Sequence, residues 1–484
     1  MSTARIGRHV AYNVMGVVLP TAITIFTTPL YLRRIGQERF GVLALLWIVV
    51  GYFGLLDLGL SRASANRLAV VQDREKAVEI FWAAVWTSFA IGVAGSIALY
   101  LGGRVWLSRT TSTAFTLEMA QALPFLALFV PLSTCGGVMT GALESRQRFL
   151  TVNAVAIAGT LLFALLPLAV AEFFTTSLAW LVPAALLSRS ISFLWLSLAV
   201  TRVLGVRRIV SPARHHVRDL LSFGGWAAVS SFIGTIMNSV DKIIIGAALG
   251  AAAVSHYVVP YNALSRMSIV PNALLRALFP RMSQADAQSA KTMEVNALAL
   301  LTVVMTGLCC ALILNLRALL MLWLGSQLVP ITIPIAIVLS AGIWCNSLAT
   351  VPYLSLQARQ KPQVPARIHL LQVLPYIAAL LLALRFFGLM GAAVAWSARM
   401  LTDGILLARV SKYSARAWRP VYLGGALIAV ATAIALTVAN WRALICVTAM
   451  VAPLFVIWAR RASPQLRQKT NDIWRTVLRR GRSS

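Results

Sequence analysis

IFWAAVWTSFAIGVAGSIALYL, residues 80–101, runs for 22 residues without a charge. As an α-helix it would be about 33 Å long, enough to cross the roughly 30 Å hydrocarbon core of a bilayer. Reading outward in both directions, comparable segments recur near 10–30, 41–60, 121–142, 151–171, 178–200, 220–247, 255–280, 294–316, 329–352, 367–386, 388–408, 420–439 and 441–459. About fourteen spans thus fill the 484 residues, and the fold class is an all-α polytopic membrane protein. Composition agrees: 59% of residues are hydrophobic and 12% charged, against roughly 25% charged in soluble domains. The basic stretch from Met1 to His9 leads into an apolar one that passes Pro20 to Pro29 with no small-residue cleavage site, so no cleaved signal peptide is expected.

A net charge of +29 would suit nucleic acid, and its placement decides otherwise. With the N-terminus inside, 30 of the 43 Lys and Arg fall in inner segments, eight in outer loops and five within helices. That asymmetry is the positive-inside pattern, which predicts a bacterial inner membrane with both termini cytoplasmic. The basic residues are scattered over many short loops and form no single groove, so no nucleic-acid partner is expected. The basic tail, 460–484, is expected against anionic membrane lipids. Cys135, Cys309, Cys310, Cys345 and Cys446 all fall inside spans without metal-ligand spacing, so neither a metal nor a disulfide is expected. Every outer loop is short, and none pairs two carboxylates as a membrane glycosyltransferase or polymerase would require. The expectation is a protein that is not an enzyme and has no cofactor.

The longest polar inner connection, 201–219, carries Arg202, Arg207, Arg208, Arg214, His215, His216 and Arg218 and reads as a solvated linker. It divides the chain into an N-terminal six-helix half (1–200), the linker (201–219), a C-terminal six-helix half (220–410), two additional helices (411–459) and the tail (460–484). A faint repeat supports the halves. Ile35-Gly36 followed by Phe40-Gly41 is matched, 214 residues on, by Leu249-Gly250 followed by Val254-Ser255, and the same offset sets Arg62 opposite Arg276. Transporters are often built from such repeats.

Ionisable residues within spans cost about 2.5–3.5 kcal/mol each at mid-helix and normally face a cavity or a partner. They are Asp57, Arg189, Asp241, Lys242, Arg266, Arg276, Arg399 and Asp403. Five cations to three acids would suit an anionic ligand. Treated as one continuous helix, span eight gathers Ser255, Asn262, Ser265, Arg266, Asn272 and Arg276 within a sector of roughly 120°. Span seven does the same with Ser231, Thr235, Asn238, Asp241 and Lys242, and span one with Asn13, Thr24, Thr27 and Thr28; such stripes are expected to line a water-filled cavity. Asp241 and Lys242 diverge by about 100° and are expected to need separate partners, as cavity groups or in structural pairs. Arg399 and Asp403, four apart, are expected to form a structural ion pair. Asp57 and Arg62 lie near the inner end of span two, where snorkelling to water competes with a role in binding. Arg266 is the sharpest candidate to hold a phosphate, through parallel guanidinium hydrogen bonds.

Pro29-Leu-Tyr-Leu-Arg-Arg-Ile-Gly36-Gln-Glu-Arg-Phe40-Gly41 and Gly51-Tyr-Phe-Gly-Leu-Leu-Asp57-Leu-Gly59-Leu-Ser-Arg62-Ala resemble the opening of the polysaccharide transporter family, the oligosaccharide-lipid flippases of the multidrug/oligosaccharidyl-lipid/polysaccharide superfamily. Asn238-Ser-Val-Asp241-Lys242-Ile-Ile-Ile-Gly246, Gly250, Tyr257 and Leu278-Phe-Pro280-Arg-Met-Ser283 are similar to its seventh and eighth helices; Ser255 departs from the usual Gly. The resemblance implies two six-helix lobes around a central cavity plus two C-terminal helices. It implies a polyprenyl-diphosphate-linked glycan as substrate, flipped between leaflets by alternating access, with a polysaccharide polymerase and a chain-length regulator as further partners. Substrate-binding candidates are then Arg266, Arg276, Asp241, Lys242, Arg189, Asn262, Asp57 and Arg62. Proton or sodium coupling would fall to Asp57, Asp241 or Asp403. A multidrug/cation antiporter and a lipid II flippase of the same superfamily are the alternatives.

Overall fold

The structure, a computed structural model, describes residues 3–54, 60–109, 114–206, 208–212, 217, 239–325, 329–359, 361, 363–413, 415–438 and 440–462. Among these there are helices and turns and no strand. The helices are α1 (Thr3–Gly54), α2 (Leu60–Val70), α3 (Arg74–Arg109), α4 (Ala114–Ser145), α5 (Phe149–Phe173), α6 (Leu178–Leu204), α7 (239–249), α8 (Ala251–Ser265), a 3-10 turn (Arg266–Ser268), α9 (Ile269–Gln284), α10 (Ala287–Leu324), α11 (Val329–Ala358), α12 (Gln363–Val410), α13 (Ala415–Thr437) and α14 (Trp441–Ala462). Nine helices among the described residues are long and apolar enough to cross a membrane, and the protein is multi-pass. Two helices hold two predicted spans each. α1 bends at Gly36 (φ 79°, ψ 171°) and α12 at Gly388 (φ 55°, ψ −141°), the latter where the sequence separates spans eleven and twelve.

Local chemistry sets the ends. Asp286 caps α10, accepting from the Gln288 and Ser289 amides at 3.1 Å each, which satisfies two otherwise orphan donors. Hydrogen bonding from Ser289 holds the Asp286 carboxyl below its ordinary range. Gly205, left-handed at φ 65°, ends α6. The 3-10 turn has a cause a few residues downstream. Pro271 lacks an N–H and its ring crowds the carbonyl of Met267, so the ladder tightens there.

The repeat offset of 214 extends to whole elements. Added to the bounds of α3 it gives 288–323, against Ala287–Leu324 for α10; added to those of α4 it gives 328–359, against Val329–Ala358 for α11. Phe149, the start of α5, maps onto Gln363, the start of α12, and Phe174, after α5, maps onto Gly388. Gly36 and Gly250, the matched turn residues, share positive φ of 79° and 85°, a conformation glycine enters without penalty.

The chain forms two compact units, the first Met1–Gly246 with Gly250–Ser255, the second Ala247–Leu249 with His256–Ser484. Packing thus parts the chain later than the linker at 201–219 and leaves most of α7 with the first unit. In that unit α3 packs on α4, and α4 and α5 on α6. Because lipid is as apolar as leucine, close fit and interhelical hydrogen bonds hold the helices together. Gly92 of α3 is an example: a Cβ there would lie 2.7 Å from the Pro131 Cα, and the Thr134 hydroxyl beside it donates to the Ser88 carbonyl at 3.0 Å. In the second unit α11 packs on α12 and on α10, and α10 on α13.

Candidate functional site: charges within the spanning helices

The exposed large apolar residues of α6 are Trp180, Leu187, Ile191, Leu194, Trp195 and Leu198. At about 100° per residue they share one sector of roughly 100°, the lipid-facing side. Arg189 lies on the opposite side, among buried Val182, Ala185 and Val200, yet its own side chain is exposed. Its guanidinium stands 4.8 Å from the Phe163 ring centre, a cation–π contact, and Trp47 packs on Phe163 at 4.7 Å. Among the described residues no carboxylate lies within ion-pair distance of it. It is a cation on a non-lipid face, backed by aromatic rings.

The equivalent position 214 residues on is Asp403, in the second arm of α12. Its helix face is also opposite the lipid side, marked by exposed Val394 and Leu401, and it is buried. The expected Arg399–Asp403 pair is not what the structure shows. Asp403 Oδ1 accepts from Gln372 Nε2 at 3.0 Å and lies 3.2 Å from His369 Nε2, both on the first arm. Arg399 instead lies over the Tyr376 ring at 5.2 Å. The hairpin at Gly388 supplies Asp403 with nearer partners than its own helix does.

Asp241 and Lys242 also depart from expectation. Both are buried, and Lys242 Nζ bonds the Asp241 carboxylate at 3.1 and 3.3 Å, so the neighbours pair with each other. Divergent Cβ directions do not prevent this, because four methylenes let the ammonium fold back. Asn262 and Arg266 are exposed one turn apart. Ser255 leaves the stripe: it is fully buried and donates to the Ala252 carbonyl at 2.8 Å. The 3-10 turn at Arg266–Ser268 advances about 20° more per residue than an α-helix, rotating the faces of α9 by roughly 60° relative to α8. The side chains of Arg276 and Arg62, together with Asp57 and 218–238, lie outside the described residues. In span one, Thr24, Thr27 and Thr28 donate to the carbonyls of Pro20, Ile23 and Thr24, so their hydroxyls are satisfied by their own helix and need no cavity water.

Two ionic nodes escaped the sequence reading. In the first unit Arg39 grips Glu118 through Nη2–Oε1 at 2.8 Å and Nε–Oε2 at 3.3 Å, and Glu118 accepts the Leu178 amide, the N-terminus of α6, at 2.9 Å. The hydrogen bond to Glu118 holds the Arg39 guanidinium above its ordinary pKa. Arg34 donates to the Ala171 and Glu172 carbonyls at the end of α5 at 2.9 and 2.8 Å, a cation at a helix C-terminus. In the second unit Glu294, fully buried, meets Arg359 at 2.8 Å and Lys291 at 3.3 Å, and Lys291 also reaches the Ser411 carbonyl and the Tyr413 ring. Burial, then the Glu294 carboxylate, keeps the Tyr413 hydroxyl protonated far above its usual range. The only signal for the first node was that Arg34 and Arg39 stand in the opening motif. The predicted linker is not wholly solvated: Trp82 and Trp86 of α3 donate to the Arg208 and Val210 carbonyls at 3.0 and 3.2 Å. No group of three or more His, Cys, Asp or Glu that could hold a metal ion exists among the described residues.

Residues 6–286 match the polysaccharide biosynthesis protein family. A Shigella flexneri protein named "Putative O-antigen transporter" is 28% identical over 405 residues, 83% of this chain and 96% of that one. Among solved structures, the lipid II flippase MurJ in an inward closed conformation superposes with a TM-score of 0.73 at 13% identity, covering 93% of this chain and 99% of MurJ. An inward-facing multidrug resistance MATE transporter of the MOP superfamily gives 0.62 at 14% identity, covering 88% and 96%. At these identities the likeness is one of fold.

Proposed function

Since the chain belongs to the polysaccharide biosynthesis protein family, we propose that it flips glycan units linked to a polyprenyl diphosphate from the inner to the outer leaflet of a bacterial inner membrane. The name of the Shigella flexneri relative supports a surface-polysaccharide substrate. The observation that carries the reading is Arg189, a mid-span guanidinium turned from lipid with no carboxylate in ion-pair reach among the described residues. An unneutralised cation at that depth is costly, and an anionic ligand offsets the cost. A guanidinium holds a phosphate through two parallel hydrogen bonds, while Phe163 and Trp47 offer an apolar face to a sugar ring. Arg266, exposed beside Asn262 on the second unit, is that unit's own candidate for a phosphate. The polyprenyl tail stays in lipid, both termini are cytoplasmic, and the flipped unit is taken up by a polymerase on the far side. Export proceeds by alternating access.

Deleting the gene tests this. Surface polysaccharide should disappear while lipid-linked units accumulate on the inner leaflet, and Arg189→Ala or Arg266→Ala should fail to restore export at normal membrane abundance, with Arg→Lys restoring it in part. Loss of the lipid-linked units themselves would instead mark an enzyme of their synthesis. Export of small cationic dyes from vesicles without glycan movement would mark an antiporter.

A further inference from the structure

The second unit contains a titratable pair that gripping a diphosphate does not use. His369 Nε2 lies 3.2 Å from Asp403 Oδ1, and Gln372 Nε2 donates to the same oxygen at 3.0 Å. His369 and Gln372 sit on the first arm of α12 and Asp403 on the second, so the contact closes the hairpin that turns at Gly388. Tyr353 of α11 stacks on the imidazole, with ring centres 6.1 Å apart and planes 13° from parallel. The other charged or titratable groups on these elements are engaged or exposed. Arg399, one turn before Asp403, lies over Tyr376; Arg359, just past α11, holds Glu294; Arg367 and Arg409 are exposed.

The chemistry of the partner matters. Among the intramembrane acids that the structure describes, Asp241 has a lysine, whose ordinary pKa of about 10.4 lies far above physiological pH. Asp403 has an imidazole, which is a cation only while it holds its proton. With one proton bound, on His369 Nε2, the pair is neutral and its N–H donates to Asp403. Without it, a single negative charge remains between two helix arms in a low-dielectric surrounding, a state that is costly in a bilayer. A sodium ion fits less well: it prefers a shell of oxygens, and Asp403 Oδ1 is met by two nitrogen groups. In the first unit the equivalents of His369 and Asp403 are Val155 and Arg189, which cannot hold such a proton.

We propose that His369 and Asp403 form a proton-binding site, and that uptake and release of one proton there couples transport to the transmembrane proton gradient. The second clause rests on the flippase reading; the first does not. Two measurements on the full-length protein separate them. In detergent, a double-mutant cycle of His369→Gln and Asp403→Asn on thermal stability is expected to show coupling at pH 6 that is lost at pH 8.5, because a charged pair forms only while the imidazole holds its proton. Equal coupling at both pH values, or none at either, overturns the proton site. In proteoliposomes, movement of undecaprenyl diphosphate bearing one N-acetylglucosamine is expected to rise several-fold under an imposed pH gradient, and the ratio of rates with and without the gradient should fall to about one in each variant. A wild-type rate indifferent to the gradient, or variants that respond like the wild type, overturns the coupling while leaving the flippase reading intact. No movement of the probe under any condition sinks the flippase reading and the coupling with it, and the stability cycle still decides the proton site.

Discussion

The two units repeat one order of helices but fasten opposite helix ends with charge. Near the start of α4, Glu118 is held by Arg39; at the matched position near the start of α11, Thr332 makes a neutral hydrogen bond to His256 Nδ1 at 2.9 Å. Near the start of α10 the relation reverses. Glu294 there is buried between Lys291 and Arg359, whereas its counterpart near the start of α3 is Ile80, buried in an apolar cluster with Phe81, Leu143 and Leu204. A desolvated ion pair is costly to separate, because each partner is left as an uncompensated charge. Neutral and apolar contacts can be exchanged at smaller cost. The first unit is therefore stiffest where α1, α4 and α6 meet, and the second where α10, the end of α11 and the segment between α12 and α13 meet.

Substitutions should rank accordingly. Glu294→Ala is expected to have the largest effect on folding, about 3–5 kcal/mol, because two cations lose their common acid. Thermal unfolding in detergent and membrane abundance would show it, and a loss under about 1 kcal/mol would remove the stiff-end distinction. Arg189→Ala should reduce export about 100-fold, the size of effect seen when one preorganised charge contact is removed, with near-normal abundance. A comparable loss of abundance would make this arginine structural and erase its contrast with Asp403. Arg39→Ala should cost about 1–3 kcal/mol and Thr332→Val about 0.5–1.5, reflecting a charged against a neutral hydrogen bond. Equal costs would break the comparison at that end. Gly36→Ala should cost about 1–3 kcal/mol despite the open space around it, because φ 79° with ψ 171° is a conformation essentially reserved for glycine.

Much of this was readable in the sequence. Uncharged runs of membrane length gave the spans, and the offset of 214 that relates Gly36 to Gly250 extends to helix ends more than a hundred residues away. The site was less legible, for physical reasons. Helical spacing suggests which residues share a face on one helix, and so it paired Arg399 with Asp403. It does not reveal that a glycine hairpin brings His369 and Gln372, 34 and 31 residues away, closer still. Long side chains blur the same geometry, as Lys242 shows by folding onto its neighbour. Ion pairs such as Arg39–Glu118, 79 residues apart, leave no periodic trace.

Trp82 and Trp86 give the segment after α6 an unusual relation to mutation. Their indole N–H groups bond the backbone carbonyls of Arg208 and Val210, and the side chains there contribute nothing to those two bonds. Every amino acid supplies a carbonyl. Substitutions at 208 and 210 thus leave both bonds available, and the path of the segment along α3 is kept. The information that holds this stretch in place is stored elsewhere, in two tryptophans more than a hundred positions earlier in the chain.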